Sequence, residues 1–314
     1  MWDGTLKQAK HRRVLEETAA LWSADPESMQ LVSASHHNLL YQMKCNGKLC
    51  YLRITHPLIK SREELAASIH YQRYLFETDA PVCAPLPSTR GQDVEEINFL
   101  GEFFLAYVNA AVTGDPIHFG YSDKTIYETW GKSLAHLHRA AKNYSGEKHQ
   151  FLHSHDMWEE IGRLMAEEDK IVRQEYAAVD EWLAGLSKNT HDFGLIHGDH
   201  RAQKVFYDGS RVSFLDSSEP MYHWFWADVV RPFLDLNKNS FQQWKVKLRW
   251  FLDGYETILP FAPEWVDCFP WFVRMQNLEK YAWMRGAPGT GGFMNARLSA
   301  LMEDIQCPLK RWEF

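Results

Sequence analysis

Hydrophobic and polar positions along the first part of the chain switch between helix-like and strand-like spacing. Apolar residues recur at helical spacing over Lys7–Trp22, which predicts an amphipathic helix. Short β-like runs follow at residues 29–43. A second helix is predicted over Ser61–Glu77, because a serine N-cap precedes an acidic first turn. Strand-like sequence rich in Phe and Leu returns at Asn98–Val108. This region therefore predicts strands around one helix.

One turn in this region is strongly specified by its residues. Asn46-Gly47 separates an apolar run that ends at Cys45 from a second run over Leu49–Ile54. Both central residues of a type I′ turn need positive φ, and Asn-Gly is the pair that meets this need most readily. We expect a β-hairpin here.

The pattern becomes helical after Gly114-Asp115-Pro116. Amphipathic spacing covers Thr125–Tyr144 and Ser154–Leu186, and it returns after Ala227. A short β-rich stretch, Gly194–Phe214, interrupts these helices. Because it interrupts an otherwise helical region, we take this stretch as the first place to look for functional residues.

The order of elements predicts an α+β protein with two lobes. A β-rich small lobe is expected at residues 1–110 and a helical large lobe at residues 111–314, with a hinge near Val108–Val112. The chain has 314 residues, of which 45% are hydrophobic, so it is long enough to bury a large core.

Composition narrows the classes of partner. The net charge of −7 and the pI of about 6.1 argue against a general nucleic-acid binder, which would present a basic face. No stretch approaches the roughly 18 consecutive apolar residues that a membrane-spanning helix needs. The charged segment Met1–Arg13 lacks the apolar region of a signal peptide. We expect a cytoplasmic protein.

The number and spacing of the cysteines also favour the cytoplasm. There are five, an odd number, and no two form a Cys-x-x-Cys pair. This pattern predicts reduced thiols rather than a disulfide framework or a zinc site. The sequence does not indicate an oligomeric state.

The most informative chemistry lies in the β-rich stretch. An apolar run precedes the polar loop His197–Lys204, and two further apolar runs follow, the last of which ends at Asp216. Strands on either side of the loop would bring Asp199 and Asp216 to the same end of a small hairpin. Paired carboxylates there would either hold a divalent cation together or divide the work, with one accepting a proton and the other binding metal.

This stretch resembles the catalytic loop of the aminoglycoside phosphotransferase and choline kinase family, whose fold is similar to that of the protein kinases. The family pattern is His-Gly-Asp, an asparagine five positions after the aspartate, and then a second aspartate after two short strands. His197-Gly198-Asp199 and Asp216 match it. Gly131–His138 and Ala227-Asp228-Val229 also resemble family segments, in the family's order.

The resemblance implies an ATP-dependent phosphotransferase that acts on a hydroxyl of a small molecule. It implies that Asp199 is the catalytic aspartate and that Asp216 binds the Mg²⁺ that bridges the phosphates. Arg53 occupies the position of the phosphate-binding strand residue. The backbone at Val108 and Ala110 would hold the adenine.

The chain departs from the family pattern at several positions. Lys204 stands where the family has its metal-binding asparagine, and an ammonium group cannot be a metal ligand. Lys204 would either neutralise phosphate charge or point away. Ser217 and Ser218 replace an aromatic and an acidic residue, with Glu219 as a substitute carboxylate.

The partner of Arg53 also departs from the pattern. The helix glutamate expected to pair with this residue falls on Ser68, with Glu64 as the alternative one turn earlier. The segment Ser33–Asn38, where a nucleotide-covering loop is expected, contains no glycine.

Three aromatic and imidazole side chains are candidates for the substrate pocket: His223, Trp224 and Tyr281. The competing interpretation is that they belong to the core, where aromatic clusters usually lie.

Two other classes of function compete with an active kinase. The departures at Lys204, Ser68 and Ser218 favour a pseudokinase, or a nucleotide- or metabolite-binding protein with impaired catalysis. A metallohydrolase is suggested by His197-x-Asp199-His200, but the first histidine of such a motif would fall on Leu195.

Overall fold

The computed structural model describes residues 9–34, 38–117, 123–146, 151–215, 219–235 and 241–286. The chain forms two compact units. The sheet unit comprises Met1–His118, Asn143–Phe151 and Gln203–Glu219, and the helical unit comprises Phe119–Lys142, Leu152–Ala202 and Pro220–Phe314. The sheet unit thus includes two segments that lie beyond the boundary near residue 110 expected from the sequence.

The sheet unit is built on an antiparallel sheet with the strand order β1-β2-β3-β6-β4, and β5 also pairs with β6. The strands are β1 Gln30–Ala34, β2 Asn38–Cys45, β3 Lys48–Thr55, β4 Pro85–Leu86, β5 Glu95–Phe99 and β6 Glu102–Ala110. Helices α1 (Arg12–Leu21) and α2 (Arg62–Glu77) belong to the same unit.

The two faces of this sheet are covered by different helices. One face forms the main core, in which Val14 and Ala19 of α1 pack with strand residues such as Leu52 and Val108. Because side chains alternate along a strand, neighbouring residues of β6 point the other way. There Leu105 and Tyr107 pack against α2. The predicted arrangement of strands around a helix is confirmed, with α1 as a second helix.

The Asn-Gly hairpin is also confirmed. Asn46 and Gly47 have φ values of 50° and 78°, and Cys45 pairs with Lys48 across the turn. A turn of this kind requires positive φ at both central positions, so the two residue types determine the connection locally.

The strand structure expected over Asn98–Val108 is confirmed, and the structure divides this stretch between two strands, β5 and β6. The chain reverses at Leu100 and Gly101, with φ values of 53° and 83°, so β5 pairs with β6 as a hairpin. Gly101 suits such a turn, but a leucine at positive φ is unusual and gave no turn signal in the sequence.

The expectation that all cysteines are reduced is wrong for one pair. Cys45 and Cys50 form a disulfide, with their Cα atoms 6.3 Å apart. The hairpin brings these two side chains together. Cys50 pairs with Met43, and Met43 and Cys45 are two residues apart, so their side chains are on the same face of the sheet. Cys83 and Cys268 are outside this disulfide and remain thiols, and Cys307 lies outside the described residues.

A smaller antiparallel sheet with the order β11-β10-β7 completes the sheet unit. It comprises β7 Asp115–Pro116, β10 Val205–Tyr207 and β11 Val212–Phe214. The strand that precedes the predicted catalytic loop belongs elsewhere. β9 (Phe193–Ile196) pairs with β12 (Met221–Trp224), so the short hairpin after the loop is formed by β10 and β11.

The helical unit contains the sheet β8-β12-β9, in which β8 is Leu152–His153, together with a set of helices. The described helices of this unit are α3 Lys124–Lys142, α4 Ser154–Met165, α5 Lys170–Ala184, α6 Phe225–Val230, α7 Phe241–Glu256, α8 Glu264–Asp267 and α9 Phe269–Gly286. None of the helices in the described part of the chain is long and apolar enough to cross a membrane.

Helices α3 and α7 approach each other closely at two glycines. A Cβ atom on Gly131 would collide with the carbonyl oxygen of Phe251, and one on Gly254 would collide with that of Glu128. Only glycine lets the two backbones come this near, so both positions are required by packing. The contact brings α7 next to the helix that lies behind the predicted catalytic loop.

Removing the N-cap of α2 tests the local basis of this fold. Ser61 accepts the backbone N–H of Glu64, whose carboxylate accepts the N–H of Ser61, so the two residues form a capping box. We expect Ser61→Ala to lower the free energy of unfolding by about 1 kcal/mol, measured by urea denaturation. Ser61→Asp retains a capping oxygen and should recover most of the loss. Equal losses in both variants would contradict a capping role.

Candidate active site

The predicted catalytic loop begins where β9 ends. Gly198 has a φ of 81°, a conformation that strains any residue with a Cβ atom, so the glycine between His197 and Asp199 is needed for the turn itself. The carboxylate of Asp199 is 18% exposed. The turn therefore presents Asp199 at the surface of the helical unit while its neighbour His197 is buried.

Asp199 is bound by an arginine that the sequence analysis did not single out. Arg201 Nε lies 2.7 Å from Oδ1 of Asp199, and its Nη2 lies 2.8 Å from Oδ2. This bidentate contact orients the carboxylate of Asp199 and favours its charged form. Each carboxylate oxygen has two lone pairs, so each can accept a further hydrogen bond beside the one from Arg201. An Asp-x-Arg spacing was the signal available in the sequence.

The backbone of the loop is anchored by Asp228 of α6. Its carboxylate accepts the N–H of His197 at 2.6 Å and the N–H of Gly198 at 3.2 Å, and the residue is 1% exposed. Burial alone would raise the pKa of Asp228, but the hydrogen bond from His138 opposes this effect, and the pKa is about 2. Asp228 is therefore ionised and positions the residues on either side of the turn.

His138 links this aspartate to α7. Its Nε2 lies 3.2 Å from Asp228, and its Nδ1 lies 2.8 Å from the hydroxyl of Tyr255. Burial lowers the pKa of His138 and raises that of Tyr255, so both are neutral. A neutral imidazole has one N–H, which donates to Asp228, while Tyr255 donates to the other nitrogen. Residues from three helices thus support the loop.

His200 has both ring nitrogens engaged inside the helical unit. Trp130 donates its indole N–H to Nε2 at 2.8 Å, so Nδ1 carries the proton and donates to the backbone carbonyl of Asp228 at 2.7 Å. Burial lowers the pKa of His200 to about 4. These contacts leave no ring nitrogen for a metal ion, which removes the ligand that the metallohydrolase hypothesis required.

The residues predicted to bind the nucleotide belong mostly to the sheet unit. Arg53 lies on β3, opposite Tyr107 of β6 and on the sheet face covered by α2, and its side chain is half-buried. Ser68 of α2 is buried and donates to the carbonyl of Glu64. Since the Glu64 carboxylate belongs to the capping box, both candidate partners of Arg53 have contacts within their own helix.

Val108 and Ala110 lie near the end of β6. Val108 pairs with Leu52 on one side and Leu86 on the other, and its side chain is in the main core. The N–H of Ala110 donates to the carbonyl of Ala84 at 2.8 Å. Because the Ala110 N–H is already engaged, any backbone contact from this stretch to an adenine would use a different group.

Lys204 ends a short 3₁₀ turn over Ala202–Lys204, and its carbonyl accepts the N–H of Leu215 at 2.8 Å. The predicted metal ligand Asp216 follows directly, but it lies outside the described residues, as do Ser217 and Ser218. The substitute carboxylate Glu219 lies 3.6 Å from Lys60.

Two of the three predicted pocket residues line a cavity of about 230 Å³ in the helical unit. His223 and Trp224 are both buried, and the cavity wall also includes Trp158, Asp180 and Glu279. Tyr281 is not part of this wall. Its hydroxyl donates to Glu168 at 2.7 Å, which ties α9 to the loop that precedes α5.

The phosphotransferase enzyme family matches residues 29–246. This is more than half of the chain, and the chain belongs to that family. The family resemblance and the α+β, kinase-like fold expected from the sequence are confirmed, and so is the class of enzyme.

Individual relatives agree with this assignment. The amicoumacin kinase of Bacillus subtilis (strain 168) is 24% identical over 286 residues, which cover 86% of this chain and 83% of that protein.

Solved structures share the fold. One is an amicoumacin kinase in complex with AMP-PNP, Ca²⁺ and Ami, with a TM-score of 0.86, 20% identity, and coverage of 100% of this chain and 98% of that chain. A microcompartment-associated aminopropanol kinase has a TM-score of 0.77 at 15% identity, covering 95% and 96%. A spectinomycin phosphotransferase has a TM-score of 0.70 at 12% identity, covering 96% and 98%.

The buried histidines predict a stability that falls with acid. The folded pKa of His200 is about 4, below the value of 6.5 for an exposed histidine, so between these values the unfolded chain binds more protons than the folded chain. Stability is therefore fully present above pH 6.5 and is lost as the pH falls toward 4. We expect the loss due to His200 between pH 7 and pH 5 to be on the order of 2 kcal/mol.

The wild type should lose unfolding free energy between pH 7 and pH 5, measured by urea denaturation at both pH values. His200→Gln should lose about 2 kcal/mol less over the same range, because the titrating imidazole is gone. His155→Gln, at an exposed position of α4, is the matched control and should behave as the wild type. The same pH response in the wild type and in His200→Gln would contradict this account.

Proposed function

We propose that this phosphotransferase transfers the γ-phosphoryl group of ATP to a hydroxyl group of a small molecule, with Asp199 as the catalytic carboxylate. The observation that carries the proposal is the geometry of Asp199. Arg201 binds both oxygens of the Asp199 carboxylate, and the side chain of Asp199 is partly exposed. The turn that carries Asp199 is held by hydrogen bonds from its backbone to the ionised Asp228. The relatives support the same chemistry, since three of them are named as kinases or phosphotransferases of small molecules.

The role of Asp199 follows from its charge and position. It would accept the hydrogen bond of the acceptor hydroxyl and take its proton as the oxygen attacks the γ-phosphorus. A bond forms between that oxygen and phosphorus, the bond from phosphorus to the bridging oxygen breaks, and ADP leaves. Arg201 keeps the carboxylate oriented, because both of its hydrogen bonds must be lost before the side chain can rotate.

The sheet unit would hold the nucleotide. We assign phosphate contacts to Arg53 and Lys204, because guanidinium and ammonium groups are donors suited to phosphate oxygens. The backbone at Val108 and Ala110 would contact the adenine. The complex of an amicoumacin kinase with AMP-PNP supports nucleotide binding in this fold.

A divalent cation is part of the proposal. When bound, such an ion would neutralise part of the phosphate charge. Asp216 is the residue that would hold it, since a carboxylate is a ligand that Mg²⁺ prefers. The amicoumacin kinase structure contains Ca²⁺, and we propose Mg²⁺ for this chain. The ammonium of Lys204 cannot be a ligand, so fewer protein ligands would hold the ion here than in the family pattern.

The acceptor would be a small hydroxyl compound, as in the amicoumacin, aminopropanol and spectinomycin enzymes. We place the reaction in the cytoplasm, because ATP is its phosphoryl donor. The competing function is a pseudokinase that binds a nucleotide without transferring phosphate, and the ammonium of Lys204 at the asparagine position favours it.

Asp199→Asn tests the catalytic role directly. We expect kcat to fall by roughly two to four orders of magnitude, because the amide cannot accept the proton. The assay measures ADP release from ATP with amicoumacin, aminopropanol or spectinomycin as the acceptor. Asp156→Asn, an exposed position of α4, should leave kcat unchanged. Turnover by Asp199→Asn at the wild-type rate, with an unchanged circular dichroism spectrum, would contradict the proposal.

Nucleotide binding tests the cation and separates the kinase from the pseudokinase. We expect calorimetry to show tighter binding of ATP in the presence of Mg²⁺, and a larger effect of Mg²⁺ in Lys204→Asn, because an amide oxygen adds a ligand where an ammonium repels the ion. Binding that is indifferent to Mg²⁺ in both proteins would favour the pseudokinase.

A further inference from the structure

The disulfide between Cys45 and Cys50 lies in a hairpin that other interactions already specify. The Asn46-Gly47 turn is determined locally, and all eight residues of β2 pair with β3. β3 in turn pairs with β6 on its other side. A disulfide that closes so short a loop also constrains the unfolded chain less than one that closes a long loop. We therefore expect the hairpin to fold with the bond closed or open.

The two ends of the disulfide differ in their access to solvent. Cys50 is 1% exposed and Cys45 is 8% exposed, and both belong to the main core of the sheet unit. The residues between them, Asn46–Leu49, are all exposed. Exchange between a disulfide and a thiol requires access to one of the sulfurs. Cys45, beside the exposed turn, is therefore the end of the bond that an external thiol reaches first.

Opening the bond changes the packing around it. Two thiol sulfurs cannot stay at bonding distance, and a close-packed core does not absorb the separation without movement. The backbones of both cysteines are also paired with other segments. Cys45 forms a β-bridge with Ala24, and Cys50 pairs with Ala110 of β6. A displacement of either cysteine therefore reaches a neighbouring segment.

The segment next to Cys50 is the one assigned to the adenine. Ala110 pairs with Cys50, and the N–H of Ala111 donates to the carbonyl of Leu49 at 3.2 Å. Arg53, assigned to a phosphate contact, lies three residues after Cys50 on the same strand. The state of the disulfide thus acts on the backbone proposed to hold the nucleotide.

The compartment gives the bond a reason to open. The proposed reaction is placed in the cytoplasm, where glutathione and thioredoxin keep most thiols reduced. Disulfides that form there are usually transient and serve in catalysis or in redox sensing. Neither Cys45 nor Cys50 belongs to the loop that carries Asp199, which leaves redox sensing as the role for this pair.

We propose that Cys45 and Cys50 form a redox switch that controls the affinity for the nucleotide. With the bond closed, the hairpin holds the backbone of Ala110 and Ala111 in place, and a preorganised site binds more tightly. With the bond open, this backbone is less constrained and ATP binds more weakly. The inference rests on the proposed function, since it concerns the nucleotide site of the phosphotransferase.

The reductant is a pair of thiols of the glutathione class. The thiolate of the first attacks the sulfur of Cys45, a mixed disulfide forms, and Cys50 leaves as a thiolate that takes up a proton. The thiolate of the second attacks the reductant's sulfur in the mixed disulfide and releases Cys45, which is also protonated. Two electrons and two protons pass to the protein, and the two reductant molecules leave as one disulfide. The reverse reaction closes the bond.

A first experiment determines whether the bond opens in the folded protein. The wild type is equilibrated with a large excess of reduced over oxidised glutathione, quenched in acid, alkylated after unfolding and analysed by peptide mass. We expect both Cys45 and Cys50 to be alkylated, because regulatory disulfides are reduced by the glutathione pool and structural ones resist it. A bond that stays closed in the folded protein and opens only in urea would overturn the proposal.

A second experiment measures ATP binding, by calorimetry with Mg²⁺, to the oxidised and the reduced wild type. We expect the dissociation constant to rise roughly threefold or more on reduction, because ordering the backbone then opposes binding. Cys45→Ser and Cys50→Ser should each bind ATP like the reduced wild type in both buffers. Cys268→Ser, in the helical unit, is the control and should respond to reduction as the wild type does.

Two results of the calorimetry would overturn the switch. One is an equal affinity of the oxidised and the reduced wild type for ATP. The other is a redox response that persists in Cys45→Ser, since it would then come from another cysteine.

Turnover and backbone signals separate this inference from the proposed function. ADP release is measured with the acceptors named above, and the N–H signals of Ala110 and Ala111 are followed by NMR with isotope-labelled alanine. Shifts of these signals on reduction and a redox-dependent affinity for ATP, without ADP release, would support the switch and count against the kinase. ADP release with the same KM for ATP in both redox states would support the kinase and overturn the switch.

Discussion

The buried carboxylate of Asp228 is the group on which the loop around Asp199 depends. An ionised side chain in the interior is stable only where donors replace the water it has lost. Here the donors are the backbone N–H groups of His197 and Gly198 and the imidazole of His138. Because two of the three donors belong to the loop, the same interactions that keep Asp228 charged also determine the path of the chain into Asp199.

The loop is buried on one side and partly exposed on the other. His200 is fully buried and engaged at both nitrogens, whereas Asp199 and Arg201 are 18% and 46% exposed. A carboxylate held in this way keeps its orientation while remaining accessible to a hydroxyl group.

Local chemistry accounts for the features that the sequence predicted well. The Asn46-Gly47 turn follows from the φ values that the two residues tolerate, and the start of α2 follows from a capping box between Ser61 and Glu64. The motif around Asp199 was recognised because its order of residue types is that of the family. In each case the interacting groups are a few residues apart, so their geometry is largely determined by the chain itself.

Other features escaped prediction because they depend on contacts between distant segments. Leu100 adopts a positive φ that its residue type disfavours, since pairing of β5 with β6 outweighs the local preference. The segment 203–219 belongs to the sheet unit because β10 pairs with β7, which lies far away in sequence. The disulfide between Cys45 and Cys50 depends on the register of one hairpin, and spacing alone did not reveal it.

The sequence by itself determined the family and the α+β fold, because these follow from patterns of residue types along the chain, and it led to the proposal that Asp199 is the catalytic residue. Only the tertiary structure decided what surrounds that aspartate. Arg201 was a neighbour without an assigned role until its contacts with Asp199 were seen. The burial, the charge state and the loss of water of these side chains depend on the tertiary packing, so the sequence alone does not show which of them form a site.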